Sequence, residues 1–235
     1  MNGRLLSLEG ISGTGKTFYR EQLEKSIKNR DDVLFVKEIF NEAQEGLNKK
    51  IFSALYHTKD RFFNMGVPLT ETMLLLSRSM YKYESTIKKA LESGKTVIED
   101  RSIDTIALYQ AILIAQKNGG NPLEIAEKIY SFAGSFRRLP EKTFLLYGNP
   151  DLAISRAEKR DGIPYKPDEA KLLKAVDKFY LIYADIHPER FIKLDIGKEN
   201  SEQILHRMQD VIEEKNLDDI VKSHMKNNEK EHWKL

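Results

Sequence analysis

Residues 10–17 read Gly10-Ile11-Ser12-Gly13-Thr14-Gly15-Lys16-Thr17, a complete Gly-x4-Gly-Lys-Ser/Thr loop. The apolar run Leu5-Leu6-Ser7-Leu8 precedes it, and Phe18, Leu23 and Ile27 follow at helical spacing. Strand, loop and helix in that order form the context that this motif needs. Glycines let successive backbone N–H groups turn inward around phosphate oxygens. The start of a helix adds unpaired donors and a favourable dipole. Gly10, Gly13, Thr14, Gly15, Lys16 and Thr17 are therefore expected to bind a nucleoside triphosphate. Lys16 is expected to reach the β- and γ-phosphates, and Thr17 to place its hydroxyl on Mg2+.

Four further apolar runs have strand character: residues 33–36, 96–98, 143–147 and 191–194. Helical spacing is expected over 17–29, 69–93, 104–117, 122–136, 152–159, 169–185 and 201–215. Short apolar strands alternating with helices imply a parallel sheet covered on both faces. The chain of 235 residues shows no internal repeat and no obvious linker, so residues 1–215 are expected to form a single domain. Residues 216–235 are mostly charged and amide side chains, a tail or an extra helix.

Composition excludes several classes. The 38 Lys and Arg nearly cancel the 36 Asp and Glu, for a net charge of +2, so a strongly electrostatic nucleic-acid binder is not expected. Without cysteine there is no disulfide scaffold, no Cys-ligated zinc and no thiol catalysis. No stretch approaches the roughly 20 apolar residues of a membrane helix. The opening Met1-Asn2-Gly3-Arg4 leads directly into a strand pattern and lacks the features of a secretory signal. A cytoplasmic protein without a membrane partner is expected. His57, His187, His206, His224 and His232 lack close metal-ligand spacing and read as structural or surface residues.

Two later segments narrow the chemistry. After the fourth run, Gly148-Asn149-Pro150-Asp151 does not supply the Asn-Lys-x-Asp motif that a small GTPase uses to read guanine. The third run closes on Glu99-Asp100-Arg101. There Asp100 can hold Mg2+ or its water, and Arg101 can clamp a second phosphate at a carboxyl strand end, where ligands collect in such sheets. An acid and a base at that place suit transfer between two phosphorylated molecules.

Leu8-Glu9-Gly10 with the loop, and Asp100-Arg101-Ser102-Ile103-Asp104-Thr105 running on to Tyr109-Gln110, resemble the thymidylate kinase family of nucleoside monophosphate kinases. So do the helix over 71–91 with Arg78 inside it, Gly94 before the third run, and Arg156-Ala157-Glu158-Lys159-Arg160 after the fourth. The resemblance covers residues 4–213. It implies a three-layer α/β fold of the P-loop NTPase type, with a five-stranded parallel sheet flanked by helices and a helical lid over about 156–168. It implies ATP- and Mg2+-dependent transfer of the γ-phosphoryl group to a nucleoside monophosphate, dTMP before others. By the same resemblance Arg78 and Arg101 hold the acceptor phosphate, Thr105 faces the base and Tyr109 crowds the sugar against a 2′-hydroxyl. Arg156 and Arg160 close on the donor phosphates. A homodimer through the helix of residues 69–91 is implied too.

The departures gather on the acceptor side. Ser12 stands where the family has an acid, and Lys37-Glu38-Ile39-Phe40-Asn41 where it has Arg-Glu-Pro-Gly-Gly. Leu74, Leu75 and Leu76 lie where a base-stacking aromatic is usual, and Asp161-Gly162-Ile163-Pro164-Tyr165 replaces the usual lid continuation. Glu38 is expected at the acceptor, and would be the general base if the chain were instead a deoxynucleoside kinase. Arg78 argues against that alternative, since a neutral nucleoside needs no second phosphate clamp. A regulatory protein that binds nucleotide without turnover is the remaining alternative.

Overall fold

The computed structural model of the chain describes residues 3–28, 30–37, 46–55, 62 and 66–213. Glu38, His57, His224, His232 and the tail from residue 216 lie outside the described residues. The elements run β1 (Leu5–Glu9), α1 (Lys16–Ser26), β2 (Val33–Val36), α2 (Gly46–Leu55) and α3 (Pro68–Lys82). A π-helical turn (Tyr83–Ile87), α4 (Lys88–Glu92), β3 (Thr96–Asp100), α5 (Ile103–Asn118) and α6 (Pro122–Gly134) follow. Then come β4 (Lys142–Tyr147), α7 (Pro150–Asp161), α8 (Pro167–Ile186) and β5 (Phe191–Asp195). Helix α9, residues 201–213, closes the described chain.

The strands form one sheet in the order β2-β3-β1-β4-β5, every pair parallel. Side chains alternate across it with period two. Leu6 and Leu8 of β1 point to the layer of α1 and α9, where they meet Tyr19, Leu23, Ile204, Met208 and Ile212. The opposite face packs under α3, α5, α6 and α8, with Leu145 and Phe191 from the sheet. On that face β1 also presents Ser7 and Glu9, both wholly buried. The buried acid beneath a helix layer is a local conflict with the apolar pattern, and such conflicts mark functional or network positions.

Two features differ from the sequence expectation. Helix α2 had no counterpart in it, although Leu47, Ile51 and Leu55 recur at four-residue spacing. The single helix expected over 69–93 is interrupted by the π-helical turn. Turns of this kind inside an α-helix are rare and concentrate near functional sites.

Candidate active site

The phosphate loop connects β1 to α1, and its glycines are required by both conformation and space. Gly10, Gly13 and Gly15 have φ of 133°, 86° and 90°. A Cβ on Gly10 would stand 2.2 Å from the Leu146 carbonyl oxygen, and one on Gly13 would stand 1.8 Å from that of Ala153. The loop is thus pressed against β4 and against the first turns of α7. Thr14 Oγ1 donates to the Ile11 carbonyl at 2.9 Å. Lys16 Nζ donates to the carbonyls of Gly10 and Ile11, each at 2.8 Å. Gly15 caps α1 without a side chain, so no side-chain oxygen covers the first-turn N–H groups. This close-walled cradle at a helix start fits a chain of phosphates.

Hard oxygen donors for a divalent cation are the exposed Thr17 hydroxyl and the Asp100 carboxylate. Among the described residues no group of three His, Cys, Asp or Glu could hold a metal. Hard oxygen donors of this kind suit an ion such as Mg2+, which keeps waters and takes substrate phosphates as ligands. Asp100 is meanwhile paired with Arg20 of α1, Nε to Oδ2, at 3.2 Å.

β1 and β3 are neighbours, with Leu8 opposite Asp100, so Arg101 emerges beside the phosphate loop. Arg101 is the single non-glycine residue with positive φ, 59°, among the described residues. That conformation costs free energy for a side-chain-bearing residue and persists only where its surroundings impose it. Here the Arg101 N–H is tied to the Leu8 carbonyl at 3.1 Å. The next N–H, from Ser102, donates to Glu9 Oε1 at 2.7 Å, and the Ser102 hydroxyl to the same oxygen at 2.9 Å. Glu9 Oε2 accepts from Thr105 at 2.6 Å and from Tyr180 at 2.8 Å. Arg101 Nη1 completes the chain by donating to Thr105 Oγ1 at 3.2 Å.

A second buried acid adjoins the first. Asp104 accepts from Tyr130 at 2.7 Å, from Thr143 at 2.9 Å and from Arg190. Ser7 lies 2.8 Å from the Thr143 hydroxyl. Burial lowers the Arg190 pKa to about 10, still far above neutrality. Burial also raises the phenols of Tyr130 and Tyr180, so both stay protonated and donate. Sequence reading missed Glu9, Asp104 and their partners as a network. The available signals were an acid closing an apolar strand and a serine within one.

The residues that the resemblance assigns to the acceptor, Arg78 and Tyr109, lie on α3 and α5. Arg78 in mid-α3 is 1% exposed, with its guanidinium 4.6 Å from the centre of the Phe52 ring of α2. Tyr109 follows Thr105 by four residues and shares its helix face. Burial pushes its phenol up to about 12. Its ring stacks on Phe62 with centroids 5.9 Å apart, and Phe62 stacks in turn on Tyr165 at 6.3 Å. Leu75 and Leu76 are core residues. Aromatic rings thus surround Arg78 and Tyr109 from Phe52, Phe62 and Tyr165, outside the α3 positions of Leu74, Leu75 and Leu76.

Arg156 and Arg160 both lie on α7, a regular helix capped by the Asn149 side chain on the N–H groups of Asp151 and Leu152. Arg156 is exposed, one turn beyond the Ala153 that touches Gly13. Its charge is felt at Tyr19 of α1, where burial and Glu199 raise the phenol and Arg156 draws it back. Arg160, farther along, pairs with Asp161 through bonds of 2.7 and 3.1 Å. Residues 162–166 form the turn to α8, held by the Tyr165 N–H on Glu158 Oε1 at 2.8 Å.

Comparisons with known proteins point one way. The family model described as thymidylate kinase matches residues 8–208. A probable thymidylate kinase of Methanosarcina barkeri is 31% identical over 201 residues, covering 84% of this chain and 90% of that one. A thymidylate kinase of Caldanaerobacter subterraneus is 30% identical over 196 residues, covering 83% and 88%. In three dimensions the chain resembles the crystal structure of thymidylate kinase from Ehrlichia chaffeensis, with a TM-score of 0.61 over 91% of this chain and 99% of that one, at 18% identity.

Proposed function

Because the chain belongs to the thymidylate kinase family, we propose that it transfers the γ-phosphoryl group of ATP to dTMP, giving ADP and dTDP. The observation that carries this reading is the pairing of β1 with β3. It puts the phosphate loop and Arg101 side by side at the carboxyl end of the sheet, so that two phosphorylated molecules can meet end to end.

Bound ATP supplies the phosphoryl group, and Mg2+ offsets charge on its phosphates. In this proposal the loop amides and Lys16 hold the donor, while Thr17 and Asp100 hold the ion. Arg78 and Arg101 grip the acceptor phosphate from two elements, with the paired bonds that a guanidinium makes to phosphate oxygens. Tyr109 closes the sugar side, Thr105 steadies Arg101 on the way to the base, and Glu38 completes the acceptor side. Arg156 and Arg160 approach the transferring group from α7 when the region 156–168 closes and excludes water. An acceptor phosphate is already ionised near neutral pH, so no general base is needed. Catalysis is then positioning and charge stabilisation. We assign the protein to the cytoplasm and to a homodimer through α3, where Leu69 and Met73 are about half exposed on successive turns.

A coupled assay of ADP release over a panel of nucleosides and nucleotides tests the reading. Turnover with dTMP and none with thymidine is expected. Turnover with nucleosides alone makes the chain a deoxynucleoside kinase. No turnover with any acceptor, with ATP still bound, makes it a regulatory protein.

A further inference from the structure

Arg137 lies between α6 and β4 and takes no part in the phosphate sites. Its side chain is wholly buried, as is that of Glu99 at 2% exposure. Nη2 donates to Glu99 Oε2 at 2.5 Å, and Nη1 to Ser79 Oγ at 2.6 Å. Nε donates to the Arg138 carbonyl at 3.1 Å, and the Tyr83 ring covers the guanidinium with its centre 5.2 Å from the central carbon. Each of the group's three nitrogens thus donates a hydrogen bond, and one face is covered by a ring.

The two side-chain partners occupy telling positions. Ser79 directly follows Arg78 on α3, and Glu99 stands two residues before Arg101 on β3. One planar guanidinium thus joins the helix that carries one proposed acceptor arginine to the strand that carries the other. Tyr83, which closes over it, is the first residue of the π-helical turn. An ion pair buried this deeply is no argument for stability, since apolar residues of similar volume often serve as well. What the fork supplies is a fixed separation between its two partners.

We propose that Arg137 is a positioning residue for the acceptor, a strut that sets the distance between Arg78 and Arg101 through Ser79 and Glu99. The proposal rests on the reading that these two arginines hold the acceptor phosphate. An error of about 1 Å in such a grip can cost on the order of 100-fold in rate.

The test is steady-state kinetics of the full chain with ATP and dTMP varied separately. The double variant Glu99→Leu/Arg137→Met removes the strut and leaves no buried charge. It is expected to melt near the wild type, to keep the KM for ATP within about twofold, and to lose roughly 10–100-fold in kcat/KM for dTMP. A folded double variant with wild-type kcat/KM for dTMP overturns the proposal. If the double variant does not fold, Ser79→Ala removes one arm alone. It should raise the KM for dTMP and leave that for ATP unchanged, and equal values for both substrates overturn the proposal. Arg78→Ala and Arg101→Ala are measured alongside. If they weaken dTMP and the strut variants do not, the strut fails and the acceptor reading stands. If they leave dTMP unaffected, the acceptor reading fails and the strut falls with it.

Discussion

Thr105 donates its hydroxyl hydrogen to Glu9 at 2.6 Å, across 96 residues of sequence. The same hydroxyl accepts from Arg101, so the guanidinium proposed for the acceptor is aimed by an acid at the end of the donor strand. Glu9→Gln removes the negative charge and replaces one acceptor oxygen by a donor. Hydrogen bonds to a charged group contribute about 1.5–3 kcal/mol, so the melting temperature should fall by roughly 3–12 °C. Activity measured well below that temperature should fall as well, with the larger effect on dTMP. Retention of both wild-type stability and wild-type KM for dTMP would show that Glu9 does not aim Arg101.

Lys16→Ala should leave the fold intact and remove most turnover. Loss of one preorganised contact to the transferring group costs about 2.7–4 kcal/mol, or roughly 100- to 1,000-fold in kcat. Circular dichroism and the coupled assay on the same preparation check this. Near wild-type kcat would mean that the donor binds elsewhere.

Gly13 and Gly15 separate conformational strain from collision. Gly15→Ala places a Cβ no closer than 3.6 Å to the Tyr19 ring, so it adds backbone strain alone. Gly13→Ala adds the same kind of strain, about 1–3 kcal/mol, and drives a Cβ into the Ala153 carbonyl. Thermal melts should therefore rank Gly13→Ala below Gly15→Ala. Calorimetry with a non-hydrolysable ATP analogue should show Gly13→Ala binding at least about tenfold more weakly, a factor worth 1.4 kcal/mol. The reverse order in the melts would place α7 away from the loop.

Asp177, on α8 one turn before Tyr180, gives a pH dependence. It is 7% exposed, and burial alone raises its pKa from 3.8 to about 6. The folded protein therefore holds this proton more tightly than the unfolded chain. The associated stability is complete below pH 3.8 and is lost as pH rises towards 6. Two units correspond to about 2.7 kcal/mol, and residual solvent contact reduces this to about 1–2 kcal/mol. Asp177→Asn should melt roughly 2–8 °C higher than the wild type at pH 7.5, with the gain vanishing near pH 4. A gain independent of pH would assign the effect to packing.

The parts legible from sequence are those written in local patterns. The phosphate loop has a fixed spacing, and each strand appears as an apolar run between turn residues, so the strands and most of the helices could be read directly, α2 excepted. The π-helical turn could not; its first residue, Tyr83, packs on an arginine 54 residues later in the chain. Glu9 and Asp104 stand in segments that carry the family resemblance, but their buried networks, like those of Arg137 and Arg190, could not be read there. Each is an ordinary charged residue until the sheet brings its partners in from distant segments. On the acceptor side, comparison by position led to Leu74, Leu75 and Leu76 on α3. The rings that the structure sets beside Arg78 and Tyr109 are instead Phe52, Phe62 and Tyr165, brought there by the tertiary fold.

The placement of Arg190 bears on how the chain is made. Asp104 sits in the first turn of α5, and the arginine that faces it is supplied just before β5, 86 residues later. While the ribosome has released the chain only as far as β4, Asp104 has the hydroxyls of Tyr130 and Thr143 but not Arg190. An isolated ionised carboxylate is among the costliest groups to enclose. Enclosing Asp104 as an ion is thus least costly once residue 190 is in place, so a chain cut short before it should be less stable than the full one.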